Sequence, residues 1–251
     1  MLSTTLFLLF VALAVYIQNL TGFALALVLL GLVGATHVFP LPDVVNVVSV
    51  IGLVNAILFL RARGALRLDR LMWPALSANL VGTILGVASL AWIMGNAYEG
   101  LRLLLGVSVV LCAWMLWKQA KPLQTASSRA SFFSVGLVSG LMGGLFAAAG
   151  PPLVYHVYRQ PWPLERMRES LVFIFGAGAL LRLAIVIPTT GFSRLSLTLS
   201  ALAIPVVALM TLLTARRAPP VSPRLLKWLV CSLLVVTGAT MVAGAARVLL
   251  A

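Results

Sequence analysis

Long apolar runs separated by short polar stretches make up nearly all of the chain. They fall at about 3–17, 22–38, 43–60, 72–94, 100–117, 131–148, 151–158, 170–187, 195–215 and 226–248. A helix needs roughly 20 apolar residues to cross a bilayer. The pattern therefore predicts crossings at 43–60, 72–94, 100–117, 170–187, 195–215 and 226–248, some of them only just long enough. The runs 3–17 and 22–38 are each marginal, joined by the polar stretch Gln18-Asn19-Leu20-Thr21, and 151–158 is too short to cross. In the second half a break is predicted within Gly143-Gly144-Leu145-Phe146-Ala147-Ala148-Ala149-Gly150-Pro151-Pro152. Pro151 and Pro152 have no N–H to donate, and Gly150 is biased away from the helical region by the proline after it. In hydrocarbon a broken backbone survives only where protein buries it or where it lines a wet cavity. Paired breaks in corresponding positions of two halves point to the binding site of a transporter.

Composition turns this pattern into a class. Of 251 residues, 62% are hydrophobic and 9% charged, with a mean hydropathy of +1.11. No soluble domain hides that much apolar surface, so an all-α polytopic membrane protein is predicted, a single integral domain over 1–251. Cys112 and Cys231 lie far apart in apolar runs without CxxC spacing and read as small packing residues. The net charge of +13 sits in short loops between apolar segments. That is the pattern of topology determinants rather than a nucleic-acid face. The start, Met1-Leu2-Ser3-Thr4, has no basic region and reads as a retained first segment rather than a signal peptide.

Loop charge then sets an expected topology. Arg61, Arg63, Arg67 and Arg70 mark one basic loop, and Lys118, Lys121 and Arg129 a second. Arg159, Arg166 and Arg168 mark a third, and Arg216, Arg217, Arg224 and Lys227 a fourth, whereas 39–42, 95–99 and 188–193 carry almost none. Simple crossings throughout would put two basic loops outside, against the positive-inside rule. If 131–158 and 3–38 each enter and return on one side, all four basic loops become cytoplasmic. Each half is then a broken, re-entrant hairpin plus three transmembrane helices. Three is an odd number, so the two repeats are inverted. Repeat 1 spans about 1–117, a cytoplasmic linker 118–130, and repeat 2 about 131–251. A weak internal match agrees, with Gly64 on Gly191 setting Asn55 opposite Arg182.

Gln18-Asn19-Leu20-Thr21-Gly22-Phe23 followed by an apolar run resembles the first half-motif of the sulfite exporter TauE/SafE family, also called the 4-toluene sulfonate uptake permease family. Gly136-Leu137-Val138-Ser139-Gly140-Leu141-Met142-Gly143-Gly144-Leu145-Phe146, ending in Gly150-Pro151-Pro152-Leu153, resembles the second. The resemblance extends over essentially the whole chain. It implies a secondary transporter of small sulfur-containing or organic anions such as sulfite and sulfonates. Ala147, Ala148 and Ala149 stand where the family often has a glycine run.

An anion at membrane depth needs hydrogen-bond donors, and helix N-termini supply free N–H groups and a positive dipole end. Half-helices starting near Gly22 and Pro151 would aim such ends at a midplane site, with Asn19 and Thr21 suited to cap the first. Arg182, inside the 170–187 run, is the best single charge, since an arginine there is costly unless it is paired or hydrated. Its planar fork suits two oxyanion oxygens, and the competing reading is a side chain snorkelling to the interface. Arg168, at the other edge of that run, reads as topological or paired with Glu165 or Glu169. Asn46 and Ser49 share a helix face by i,i+3 spacing, as do Asn79 and Thr83 by i,i+4, and Asn55 lies in the same run as Asn46. Gly136, Gly140 and Gly144 have small-xxx-small spacing and read as packing positions.

The expected substrate-binding set is Gln18, Asn19, Thr21, Gly22, Asn46, Asn55, Gly150, Pro151, Pro152 and Arg182. His37 and His156 are candidates for proton coupling. Without HExxH or any other ligand spacing, neither a metal nor a cofactor is predicted, and no nucleophile–base pair supports an enzyme. No GxxxxGK[ST] is present, which excludes ATP-driven transport within this chain. The expectation is a multi-pass protein of the cell (inner) membrane carrying a small anion by alternating access. A proton gradient or the membrane potential would drive it. The alternatives are a passive anion channel or, at a further remove, a membrane-embedded enzyme. Its partners are the anion and the lipid bilayer, with no nucleic acid, and a homodimer is compatible.

Overall fold

The structure is a computed structural model that describes residues 2–64, 68–96, 98–117, 123–189 and 192–216, with parts of 228–244. Among the described residues it is all helical: α1 (Leu2–Thr21), α2 (Leu25–Thr36), α3 (Leu41–Arg63), α4 (Met72–Asn96), α5 (Tyr98–Trp117), α6 (Arg129–Phe146), α7 (Gly150–Tyr158), α8 (Leu164–Thr189) and α9 (Arg194–Arg216). Among the described residues, six helices are long and apolar enough to cross a membrane: α1, α3, α4, α6, α8 and α9. The apolar runs at 3–17 and 131–148 are thus parts of full-length helices. α1 continues through Gln18, Asn19 and Thr21, because the first turn beyond a short apolar run is polar but still helical. The run at 226–248 lies largely outside the described residues, though a helical Cys231 there packs its thiol on the Ala113 carbonyl of α5.

Local chemistry sets the helix ends. Pro40 precedes α3, Pro42 occupies its first turn and Asp43 complements its positive dipole end. At the far end Gly64 terminates α3 with φ +84°. The Ser128 hydroxyl caps α6 by accepting from the Ser131 N–H at 3.3 Å.

α3 is 23 residues, about 35 Å long, and its two ends define two faces of the molecule. On the face where α3 begins, Asp43 accepts hydrogen bonds from Ser193 and, at 2.8 Å, from Ser196 at the start of α9. Phe7 of α1 and Phe39 after α2 meet edge to face 5.5 Å apart at their ring centroids, so the start of α1 and the end of α2 lie side by side. On the opposite face Asp69 pairs with Arg166 of α8 at 3.6 Å. There the Leu123 N–H donates to the Arg159 carbonyl at 2.7 Å, and Ser127 exchanges hydrogen bonds with Gln160. The chain entering α6 therefore lies beside the chain leaving α7.

The closest helix pair is α4 with α6, which come from opposite sides of the 118–130 stretch. A methyl on Gly136, Gly140 or Gly144 would strike the α4 backbone at Ala75, Asn79 or Thr83, and one on Gly82 or Gly86 would strike α6 at Leu137 or Leu141. Packing is what small-xxx-small spacing predicted for α6. The facing glycines of α4 complete it.

Candidate functional site

Both helix breaks are present, but not where proline chemistry placed them. In the second hairpin Gly143 and Gly144 belong to α6, which ends at Phe146 with Ala147 left-handed at φ +53° and its N–H bonded to the Gly143 carbonyl. Gly150 is already helical, and Pro151 and Pro152 occupy the first turn of α7. Proline fits there because first-turn N–H groups have no partner to lose. In the first hairpin the break is Gly22 to Ala24, with φ +77° at Gly22 and +84° at Ala24.

Neither Asn19 nor Thr21 caps α2. The Gln18 side chain does it instead, its Oε1 accepting from the Leu25 N–H at 2.9 Å. The Thr21 hydroxyl donates to the Ile17 carbonyl at 2.7 Å, and its carbonyl accepts from the Tyr158 hydroxyl at 2.5 Å. The Arg168 guanidinium lies near the Tyr158 hydroxyl. Gly22 lies so close to α8 that an added methyl would stand 2.9 Å from the Arg168 Cα.

Arg182 is 2% exposed, which removes the snorkelling reading. Its Nε donates to the Gly144 carbonyl at 3.1 Å, and one terminal nitrogen donates to Asn46 Oδ1 at 3.2 Å and Ser49 Oγ at 2.9 Å. All three partners are neutral, and among the described residues no carboxylate pairs with Arg182. A buried guanidinium surrounded only by dipoles is hydrogen-bonded but not charge-compensated.

The two breaks and Arg182 wall one cavity of about 60 Å³. That is room for on the order of four waters at ~10–15 Å³ each. Gln18 and Ala24 to Leu27 come from the first hairpin, and Ala147 to Gly150 from the second. Ser49 and Gly52 belong to α3, Asn79 and Thr83 to α4, Gly178 and Arg182 to α8. Among the described residues Arg182 is the one charged group in this lining.

Backbone donors add to it. The N–H groups of Ala26 and Leu27, and of Ala148, Ala149 and Gly150, carry no hydrogen bond among the described residues. Successive free N–H groups around a left-handed residue form an anion-binding concavity. A 12-residue helix adds its positive dipole end. Because Pro151 and Pro152 have no N–H, the second break offers its donors from Ala148, Ala149 and Gly150, ahead of the prolines. The arrangement is a small site with one positive charge and several hydrogen-bond donors, suited to an oxyanion.

Gln18, Gly150 and Arg182 of the expected set line this cavity, and Asn79 and Thr83 join them from α4. Asn46 stands one layer back, holding Arg182. Asn55 and Asn19 lie elsewhere. Asn55 Oδ1 accepts from the Thr211 hydroxyl at 2.7 Å, and Asn19 donates to Thr214 at 2.9 Å. Thr21, Gly22 and Pro152 sit at the breaks outside the lining, and the side chain of Pro151 is outside the described residues. Neither histidine reaches the cavity. His37 caps α2 in a left-handed conformation beside a separate pocket, and His156 meets the Phe132 ring edge to face at 4.6 Å. Sequence reasoning placed free N–H groups at the two half-helix starts; the structure puts them on Ala26 and Leu27 and, ahead of the prolines, on Ala148 and Ala149. Their one sequence signal was a break, not a residue type.

Residues 6–241 match the family model described as Sulfite exporter TauE/SafE. The chain is also similar to a protein of Cupriavidus necator (strain H16) named probable sulfite/organosulfonate exporter TauE. The two are 29% identical over 230 residues, covering 90% of this chain and 88% of that one. No solved structure matches.

Proposed function

The chain belongs to the sulfite exporter TauE/SafE family, a family of multi-pass membrane transporters rather than enzymes, and from that membership we propose that it exports a small sulfur oxyanion, sulfite or an organosulfonate. The observation that carries this reading is Arg182. It is a buried cation without a carboxylate partner among the described residues, facing a cavity walled by both helix breaks. An oxyanion bound there neutralises the guanidinium and takes up the free N–H groups in one step.

Transport proceeds by alternating access between two inverted repeats, about 1–117 and 131–251, joined by a cytoplasmic linker at 118–130. Reciprocal packing supports this division. α1 lies on α9 as α6 lies on α4, α3 lies on α9 as α8 lies on α4, and α3 lies on α8 at the centre. The hairpins open on opposite faces. Each face also carries its own polar latch, Asp43 with Ser193 and Ser196 on one and Asp69 with Arg166 on the other. With no nucleotide-binding motif in the chain, the driving force is the proton gradient or the membrane potential. An interior-negative potential favours anion export by about 2.3 kcal/mol per charge per 100 mV.

Flux of radiolabelled sulfite from proteoliposomes tests the reading. Saturable efflux is expected, accelerated by an interior-negative potential and lost in Arg182→Gln. No saturable flux of sulfite or any small sulfonate would overturn it, and flux proportional to concentration without limit would favour a channel. Reporters at residues 96, 162 and 190 check the topology, with 162 inside and the other two outside.

A further inference from the structure

The cavity is not lined by donors alone. Asn79 is fully buried and its Oδ1 has no hydrogen-bond partner among the described residues. Its orientation follows from its neighbours. The Ser139 hydroxyl spends its one proton on the Ala149 carbonyl, so it can only accept from Asn79, whose Nδ2 lies 3.4 Å away. The amide nitrogen is thus turned toward Ser139 and the oxygen toward Gly178, which lines the same cavity.

Thr83 is constrained in the same way. Its hydroxyl donates to the Asn79 carbonyl at 2.8 Å, which leaves only lone pairs for the cavity. A methyl built on Gly178 would lie 3.0 Å from Asn79 Oδ1 and 3.7 Å from Thr83 Oγ1, so the two acceptors share one corner. The rest of the lining includes donors: the Arg182 guanidinium, the Gln18 amide and the free N–H groups at the second break.

We propose that Asn79 and Thr83 form an acceptor corner that selects oxyanions carrying their own hydrogen-bond donor, singly charged sulfur oxyanions that bear an O–H or N–H. Hydrogensulfite and sulfamate have that donor; sulfite dianion, sulfate and unsubstituted alkylsulfonates do not. A fully deprotonated dianion would place lone pairs against lone pairs at Asn79 and would exceed the single positive charge of Arg182. A buried acceptor left unpaired lowers affinity, and a site built to pair a donor rejects the analogue lacking it. For sulfite the proton then travels on the substrate itself, so no titrating side chain is needed in the cavity. The proposal rests on the cavity being the anion site.

Sulfamate and methanesulfonate test it, since both are monoanions of nearly one shape and differ in NH₂ against CH₃. Titration calorimetry on the purified full chain is expected to give sulfamate about tenfold tighter binding than methanesulfonate. Asn79→Leu should bring the ratio to within about twofold by weakening sulfamate alone, and the isosteric Thr83→Val should reduce it partway. Equal affinities in the parent protein, or a ratio unchanged in both variants, would overturn the acceptor corner while leaving the anion site standing. Binding of neither probe, nor of sulfite, would overturn the anion site and the corner with it. The comparison in the parent protein and in Thr83→Val holds even if Asn79→Leu does not fold.

Discussion

Replacing Gly140 by alanine offers a direct test of the α4–α6 seam. The added methyl would lie 2.7 Å from both the carbonyl carbon and the Cα of Asn79 and closer still to its carbonyl oxygen, all of it backbone that cannot swing aside. Reaching an ordinary contact near 3.4 Å requires the helices to part locally by roughly 0.7 Å or more. Overpacking of this kind costs about 1–3 kcal/mol, while alanine in place of a mid-helix glycine returns about 0.5–1 kcal/mol. The net expectation is a loss of about 1–2 kcal/mol, or ~2–8 °C in Tm at 2–4 °C per kcal/mol for a chain of this length. Gly52 in α3 is the control, because a methyl there meets nothing within 4 Å. Gly52→Ala should therefore raise Tm by ~1–4 °C. Thermal unfolding of both variants in detergent, followed by tryptophan fluorescence, reads the difference in sign. A Gly140→Ala protein melting at or above the parent would refute the reasoning, since the glycines would then not be holding the helices at contact distance.

The left-handed residue between α6 and α7 gives a second contrast. Ala147→Gly should leave stability within about 1 kcal/mol of the parent, while the β-branched Ala147→Val should lose roughly 2 kcal/mol in the same melting assay. The polar latches give a third. The Asp69–Arg166 pair is partly exposed, so its removal is worth at most about 1 kcal/mol, or roughly fivefold in a population. In a protein whose own cysteines are replaced, Ala149→Cys should react faster with an impermeant thiol reagent from the Asp69 face when Asp69→Asn is added. Asp43→Asn should act from the opposite face, and equal effects on both faces would contradict the latch assignment.

Arg182 was legible because a lone charge inside an apolar run must be buried for a reason, and Asn79 with Thr83 because polar residues at i,i+4 share a face. The breaks were legible only as neighbourhoods. Gly150-Pro151-Pro152 announces a helix end, yet proline is welcome in a first turn, and the interruption fell on Ala147 to Ala149. Alanine is the strongest helix former, so tertiary packing, not propensity, turns Ala147 left-handed. Asn46 and Asn55 carry the same signal as Asn79 but face Arg182 and Thr211 instead, and those partners lie more than 130 residues away. Gly136, Gly140 and Gly144 announced close packing; that the partner would be Gly82 and Gly86 of α4 depends on a long-range pairing that spacing alone does not encode.

That seam has a consequence for how the protein is made. α4 leaves the ribosome before residues 118–130, and the helix that fills its glycine groove comes after them. Until α6 inserts, Gly82 and Gly86 face lipid with no side chain to cover the backbone. Membrane insertion therefore passes through a stage at which the first five helices lack their tightest partner. Quality control that recognises unfilled helix grooves would act in that interval, and a chain stopped at Trp117 would be held there.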